Sequence, residues 1–386
     1  MKTSAFFKGL SWLIFLNLLV KPVWIFLIDR QVQNAVGHEE YGRYFAVLNL
    51  SFVLYFLSDA GLSQMINQRI ASGKKLDVLQ LLRIKAGMLV IYFLVCCFVG
   101  WISGITQWTF LLYVLLIQSL NSVFILLRSL ITAHQFFGAD AWFSVLDKTL
   151  MTLVCGAILY TSWFGSIDLI LFLQVQASCT ALAVIAAFVF LYNKGILHRG
   201  DQEQLRRIIT MILPFAIIIM LMSVHYRLDG FLLERIHPEG PYQAGIYASA
   251  YRLLDAANMI GYLVSSFLVP FVAKHRNDNP LVRDAVIQIR HPMMLFAIGI
   301  SVFAIMFGMR LQQLLYHSTE DFHTTVIQLC IAALPGYFLV HIYGAVLTAV
   351  ARFRQLGFIH FGAVVVNLLL NLILIPSYGA VGCCIA

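Results

Sequence analysis

The sequence predicts an all-α polytopic membrane protein, and three observations carry that reading. Of 386 residues, 61% are hydrophobic and only 11% are charged, against about 25% charged in an ordinary soluble domain. The apolar residues fall into successive runs of spanning length, joined by short polar connections. Lysine and arginine gather in alternate connections, the signature of a chain that crosses a bilayer repeatedly. A hydrocarbon core about 30 Å thick takes roughly 20 apolar residues as a helix.

Eleven such runs are read, near 10–28, 44–66, 86–103, 109–131, 146–163, 168–192, 208–228, 245–271, 293–309, 326–350 and 357–375. The first follows MKTSAFFKGL and looks superficially like a signal peptide. It lacks a small-residue cleavage site and is read as a retained span. After the eleventh, PSYGAVGCCIA reads as a turn and then the opening of a twelfth span, truncated here.

Charge sets the orientation. With the N-terminus in the cytoplasm, that side receives Lys2, Lys8, Arg69, Lys74, Lys75, Arg83, Lys85, Arg128, Lys148, Lys194, Arg199, Arg206, Arg207, Lys274, Arg276, Arg283, Arg290, Arg352 and Arg354. The opposite side receives only Arg30, Arg43, Arg227, Arg235 and Arg310. The expected topology is therefore multi-pass, with the N-terminus inside. Basic residues that lie between spans argue against a nucleic-acid partner. All connections are short, so no extramembrane catalytic domain is expected.

An internal repeat divides the chain. DRQVQNAVGHEEYGRYFAVLNL begins at Asp29, and DGFLLERIHPEGPYQAGIYASAYRL begins at Asp229. Each sets an aspartate at the edge of a span, then a polar turn, then Gly-x-Tyr (Gly42 and Tyr44, Gly245 and Tyr247) opening the next span. LITAHQFFGADAWF from Leu130 similarly matches LTAVARFRQLGFIH from Leu347, with Thr132, Ala133 and Phe137 falling on Thr348, Ala349 and Phe353. Two pseudo-symmetric six-helix lobes are expected, 1–200 and 201–386, the second lacking its last span. Paired bundles around a cavity are transporter architecture.

Charge at membrane depth is costly and faces a cavity, a partner or water. Lys21 sits mid-span beside Pro22 and is read as cavity-facing. Arg252 and Asp255, three apart, share a helical face, and a cavity role, mutual pairing and snorkelling all stay open for Arg252. Arg227 and Asp229, two apart, do not face each other. Arg128, Lys148 and Arg227 lie near span ends, where snorkelling to headgroups is as good a reading as a cavity role. Asp147 is read as a candidate helix cap, and Asp59 lies within the second span. Pro22 and Pro214 interrupt the first spans of the two halves as candidate hinges, with an inert kink the equal alternative. The basic stretch QRIASGKKLDVLQLLRIKAG from Gln68 reads as a solvated linker ahead of an interfacial helix.

No enzyme motif is found: no Walker-type phosphate loop, no His-Glu-x-x-His, no Gly-x-Ser-x-Gly. The seven cysteines have no metal-type spacing, so neither metal nor cofactor is expected.

KPVWIFLIDRQVQNAVGHEEYGRYFAVLNL and HYRLDGFLLERIHPEGPYQAGIYASAYRLLDAANMIGYLVSSFLVPFVAK resemble the polysaccharide-exporter branch of the multidrug/oligosaccharidyl-lipid/polysaccharide flippase superfamily. The resemblance covers essentially the whole chain. It implies two MATE-like lobes in a V around a central cavity, and transport without covalent chemistry. The implied cargo is a polyprenyl-diphosphate-linked oligosaccharide, moved from the cytoplasmic to the periplasmic leaflet of a bacterial inner membrane by alternating access. Lys21, Arg227 and Arg252 are then the expected diphosphate ligands, since arginine forks and lysine point charges hold phosphates. Asp59, Asp229 and Asp255 are candidates for H+ or Na+ coupling or gating, and Asn17, Gln118, Asn121 and Asn258 for sugar contact. Implied partners are membrane lipids, a polysaccharide polymerase and glycosyltransferases. Two alternatives stand beside this reading. A cation-coupled multidrug exporter would want an acidic cavity, and Lys21 and Arg252 argue against it. A non-transporting scaffold for glycan-synthesis enzymes would lack a wet cavity.

Overall fold

Apolar runs of this length can satisfy their backbone polar groups at membrane depth only by closing them within helices. The computed structural model describes residues 3–71, 76–161, 167–197 and 204–386, and these are helical apart from short connections. Helix α1 (Thr3–Val23) leads through a π-helical turn (Trp24–Asp29) into α2 (Arg30–Val36). The second span is built from α3 (His38–Val53), α4 (Phe56–Asp59) and α5 (Leu62–Ala71), bent by 42°. Single helices follow: α6 (Val78–Ile102), α7 (Trp108–Ala133), α8 (Phe137–Tyr160), α9 (Leu169–Asn193), α10 (Leu205–Ile236), α11 (Gly240–Lys274) and α12 (Asn279–Tyr316). Helices α13 (Asp321–Ala332) and α14 (Leu334–Ala349) together form a span, and α15 (Phe353–Ile385) closes the chain. Among the described residues ten spans are long and apolar enough to cross a membrane, and the bent pair makes eleven.

Several boundaries depart from the sequence reading, each for a local reason. Pro22 has no N–H to give and its ring crowds the preceding turn. The chain answers by widening into the π-helical turn that starts two residues later, then continues to Val36. Pro214, by contrast, lies inside α10 with the helix continuous on both sides. Helix α8 starts at Phe137, so Asp147 and Lys148 sit well inside it and Asp147 caps nothing. Polar Asp140 and Ser144 disguised that first stretch. Helix α12 starts with the Asp278 carboxylate accepting from Leu281 N at 3.1 Å, which puts Arg283 and Arg290 on a helix instead of in a connection. At the C-terminal end, helix α15 runs through Pro376, and the break falls at Gly379, at φ +55°. Only a residue without Cβ adopts that conformation cheaply.

The stretch expected as a solvated linker is the largest correction. Residues 72–75 lie outside the described residues, but Leu76, Val78 and Leu81 are core and Lys85 is only 1% exposed. Asp77 starts α6 by accepting from Leu79 N and Gln80 N at 2.9 and 3.2 Å, which is ordinary N-capping. The basic run hid a helix whose apolar side turns inward.

The chain divides into two compact units, Met1–Val36 with Val47–Leu228, and Gly37–Ala46 with Asp229–Ala386. These bounds differ from 1–200 and 201–386 in two places. In the first unit α1 packs on α8, and α7 on both α9 and α5. Its main core joins Leu62, Ile66, Leu81, Leu127 and Leu130 with Ile208 and Ile212 of α10, so the opening of α10 belongs here. In the second unit α11 packs on α14 and α13, and α12 on both.

Residues 37–46 belong to the second unit through a glycine crossing. A Cβ at Gly42 would overlap the Pro241 carbonyl oxygen, and one at Gly245 would overlap the carbonyl oxygen of His38. The pairs correspond in order, 38 and 42 against 241 and 245, so the first repeat seen in the sequence meets itself about a local two-fold. The second repeat is a repeated corner. After α7 the chain turns with Gln135 at φ +66°, and after α14 with Ala351 at φ +57°. Phe136 N donates to Ile131 O at 3.1 Å and Arg352 N to Leu347 O at 2.9 Å. These are matching left-handed helix C-caps.

Candidate functional site

Helices α1 and α8 run parallel, because contacts between them advance together. Asn17 Nδ2 donates to Ser144 Oγ at 2.8 Å, and farther along Ile28 lies against Gly156. Lys21 and Lys148 each lie four residues past that hydrogen bond, one helical turn farther on. They therefore sit at one level. Lys148 Nζ lies 5.2 Å from the Trp24 ring centre and 3.5 Å from Asp147 Oδ2. Arg128, from α7, donates through Nε to Asp140 Oδ1 at 2.8 Å. The charges acting on Lys21 are Arg128, Asp147 and Lys148.

This group holds three cations against two carboxylates. Arg128 and Lys148, which the sequence left open between snorkelling and a cavity, each face a carboxylate of α8. Lys21 is partly exposed, and its ammonium makes no hydrogen bond or ion pair among the described residues. An unpaired ammonium among other cations is a place where an anion is attracted and partly desolvated.

Asn17 belongs to the packing of this face. It is 4% exposed and its amide donates to both Leu13 O and Ser144 Oγ, so it has no amide hydrogen to offer a sugar. Gln118 is buried on α7, whereas Asn121 is partly exposed. Arg227 lies in the first unit with its guanidinium 4.9 Å from the Phe52 ring centre. That cation–π contact holds it against protein.

Asp59 is not a free carboxylate. Its Oδ1 accepts from Lys85 Nζ at 2.7 Å and from Ser63 Oγ at 2.8 Å. Ala60 and Gly61, both at positive φ, break the helix straight after it. The sequence counted Lys85 among loop residues, and no signal short of the tertiary pairing would have moved it.

The second unit holds a different arrangement. Asp229 is buried and accepts from Asn371 Nδ2 at 2.8 Å, with Asn367 and Tyr247 also directing donors at it. Asn367 and Asn371 were missed in the sequence. Their signal was present, as two amides one turn apart in an otherwise apolar run. Arg252 directs Nε and Nη2 at the Tyr41 hydroxyl, both at 3.3 Å, and lies 5.8 Å from the Phe45 ring centre. Asp255, one turn on, is partly exposed, and its charge acts on Cys330 and Tyr337. Asn258 Oδ1 accepts from His341 Nε2 at 3.0 Å. Lys21 and Arg227 thus fall in one unit and Arg252 in the other.

Comparison with known proteins agrees with these observations. The family model described as "Polysaccharide biosynthesis protein" matches residues 6–276. No curated protein sequence is a significant match. Among solved structures, the lipid II flippase MurJ in an inward closed conformation has a TM-score of 0.68 at 13% identity, covering 96% of this chain and 83% of its own. An inward-facing multidrug resistance MATE family transporter of the MOP superfamily has a TM-score of 0.65 at 13% identity, covering 96% and 90%. A mutant Vibrio cholerae MATE transporter has a TM-score of 0.64 at 12% identity, covering 99% and 93%. At such identity these likenesses establish the fold.

Proposed function

Because the chain belongs to the polysaccharide biosynthesis protein family, we propose that it is a flippase of the MOP type that moves a polyprenyl-diphosphate-linked oligosaccharide between membrane leaflets. The observation that carries this reading is Lys21. A mid-span ammonium with no hydrogen-bond or ion-pair partner among the described residues, and with two further cations and Asp147 acting on it, suits a diphosphate better than a cationic drug. The prenyl tail stays in lipid while Lys21 engages the diphosphate. Arg227, partly exposed beside Phe52, and Asn121 and Asn258 are the groups left to meet phosphate and sugar. Alternating access, with Pro22 and its π-helical turn as the flexible point, then exposes the cargo on the other side. The lysine and arginine distribution puts the N-terminus in the cytoplasm, and outward transfer from that side is the proposed direction.

Asp229 is the proposed coupling carboxylate for H+ or Na+. Its amide and phenol donors leave one buried negative charge without a cationic partner among the hydrogen bonds around it. Asp59 drops out of that role because Lys85 already neutralises it. Asp255 remains a gating residue. Polymerase and glycosyltransferases are proposed as the enzymes that consume and supply the cargo.

The test is reconstitution of the protein in liposomes, scoring leaflet transfer of lipid-linked oligosaccharide. Transfer by wild type and its loss in Lys21→Ala supports the reading. Equal rates remove Lys21 from it, and transfer of a cationic drug in place of the lipid would replace it with the exporter alternative.

A further inference from the structure

We propose that the histidine pair His38–His323 is a proton-binding site that fastens residues 37–46 to the second unit and releases them on acidification. The inference is independent of the cargo. His323, at the start of α13, is 2% exposed and surrounded by polar groups. Gln312 Nε2 lies 3.1 Å and Ser318 Oγ 2.9 Å from its Nδ1. On the other side, Tyr242 Oη lies 3.2 Å and Glu320 Oε2 3.3 Å from its Nε2. The His38 ring stands edge-on to it, with centroids 5.1 Å apart, and Tyr242 also packs on His38.

Among the described residues, two buried polar atoms here have no hydrogen-bond partner: Gln312 Oε1 and His38 Nδ1. Buried orphans of this kind are rare and call for a reason. The Gln312 amide donates to His323 Nδ1, so Nδ1 carries no proton and the ring is neutral. A proton arriving at Nδ1 would be accepted by Gln312 Oε1 after a half-turn of the amide, which gives that oxygen its partner. The imidazolium then donates through Nε2 to the Glu320 carboxylate. The site is therefore built to accept one proton in place.

A second proton, on His38, meets a different situation. The groups facing it are His323 from α13, Tyr242 and the Gly245 backbone from α11 and, farther off, the carboxylate of Glu320. Two adjacent imidazolium rings repel, and His38 is the one carried by a short segment. Its backbone carbonyl touches Gly245 across the glycine crossing, so displacing His38 opens that crossing. The segment also bears Tyr41 and Phe45, which hold Arg252. Protons at this pair thus govern whether the segment from the first span to the second stays docked on α11.

Hydrogen exchange of the full-length protein in lipid nanodiscs tests this. After correction for intrinsic rates, the peptide covering 37–46 should exchange about tenfold faster at about pH 5 than at about pH 8. His38→Gln and His323→Gln should each remove the acid-induced step. Glu320→Gln, at an exposed position, should move the step to lower pH, because it takes away the carboxylate that favours the imidazolium. No step in the wild type, a step that persists in both histidine variants, or a midpoint unmoved by Glu320→Gln would overturn the proposal.

Discussion

Lys21 and Lys85 are both lysines inside membrane-spanning helices of the same unit, yet their surroundings are opposite. Lys85 is sealed from solvent and held at 2.7 Å by Asp59. Lys21 is partly exposed, and the charges nearest it include two cations. The first is a closed structural pair that joins α4 to α6 where the second span breaks. The second has no hydrogen-bond or ion-pair partner among the described residues and is the charge proposed to meet a ligand. Intramembrane charge alone marks neither role; the partner decides.

Breaking the closed pair should have the largest effect. Lys85→Met leaves the Asp59 carboxylate buried and alone, which typically costs about 3–5 kcal/mol. The expected outcome is a sharp fall in melting temperature and in folded yield from membranes, read by size-exclusion thermal stability. The double variant Asp59→Asn/Lys85→Met should recover most of that loss, because removing both members of a buried pair is often close to neutral. A double variant as unstable as the single one would show that the pair's role is not charge compensation.

Opening the same question at Lys21 should leave stability alone and change transport. Lys21→Ala should keep its unfolding free energy within about 0.5 kcal/mol of wild type, as expected where no intramolecular ion pair is lost. Removing a charge-assisted contact to phosphate is worth about 1.5–3 kcal/mol, or roughly 10- to 150-fold in apparent affinity. Equilibrium binding of the lipid-linked cargo measures it, and Lys21→Arg should retain most of the binding. Asp229→Asn should instead leave binding in place and abolish dependence of transfer on the ion gradient. The smallest effect belongs to Arg227→Gln. Losing its contact with Phe52 should cost about 0.5–1 kcal/mol, visible as a shift of about one degree in unfolding with only a few-fold loss of transfer.

Much of this could be read from residue order. Hydropathy located each span, and the two repeats proved to be real geometry. Gly42 and Gly245 cross on each other's helix starts, and Gln135 and Ala351 make equivalent left-handed corners. These survived because glycine at a close approach and a helix C-cap are local necessities. Boundaries survived less well. The start of α8 was read nine residues late because Asp140 and Ser144 are polar, yet both are buried against α7 and α1.

What composition and pattern determined by themselves is the class of molecule: an all-helical membrane chain, doubled, with a few charges stranded at depth. That follows from local physics, since lipid forbids an unsatisfied backbone and apolar length sets the span. Which charges are open and which are closed was decided only in three dimensions. Asp59 and Lys85 are 26 residues apart, Asn17 and Ser144 are 127, and Asp229 and Asn371 are 142. Pairing at such separations depends on which helices pack together and in what register, and no periodicity along one helix contains that information.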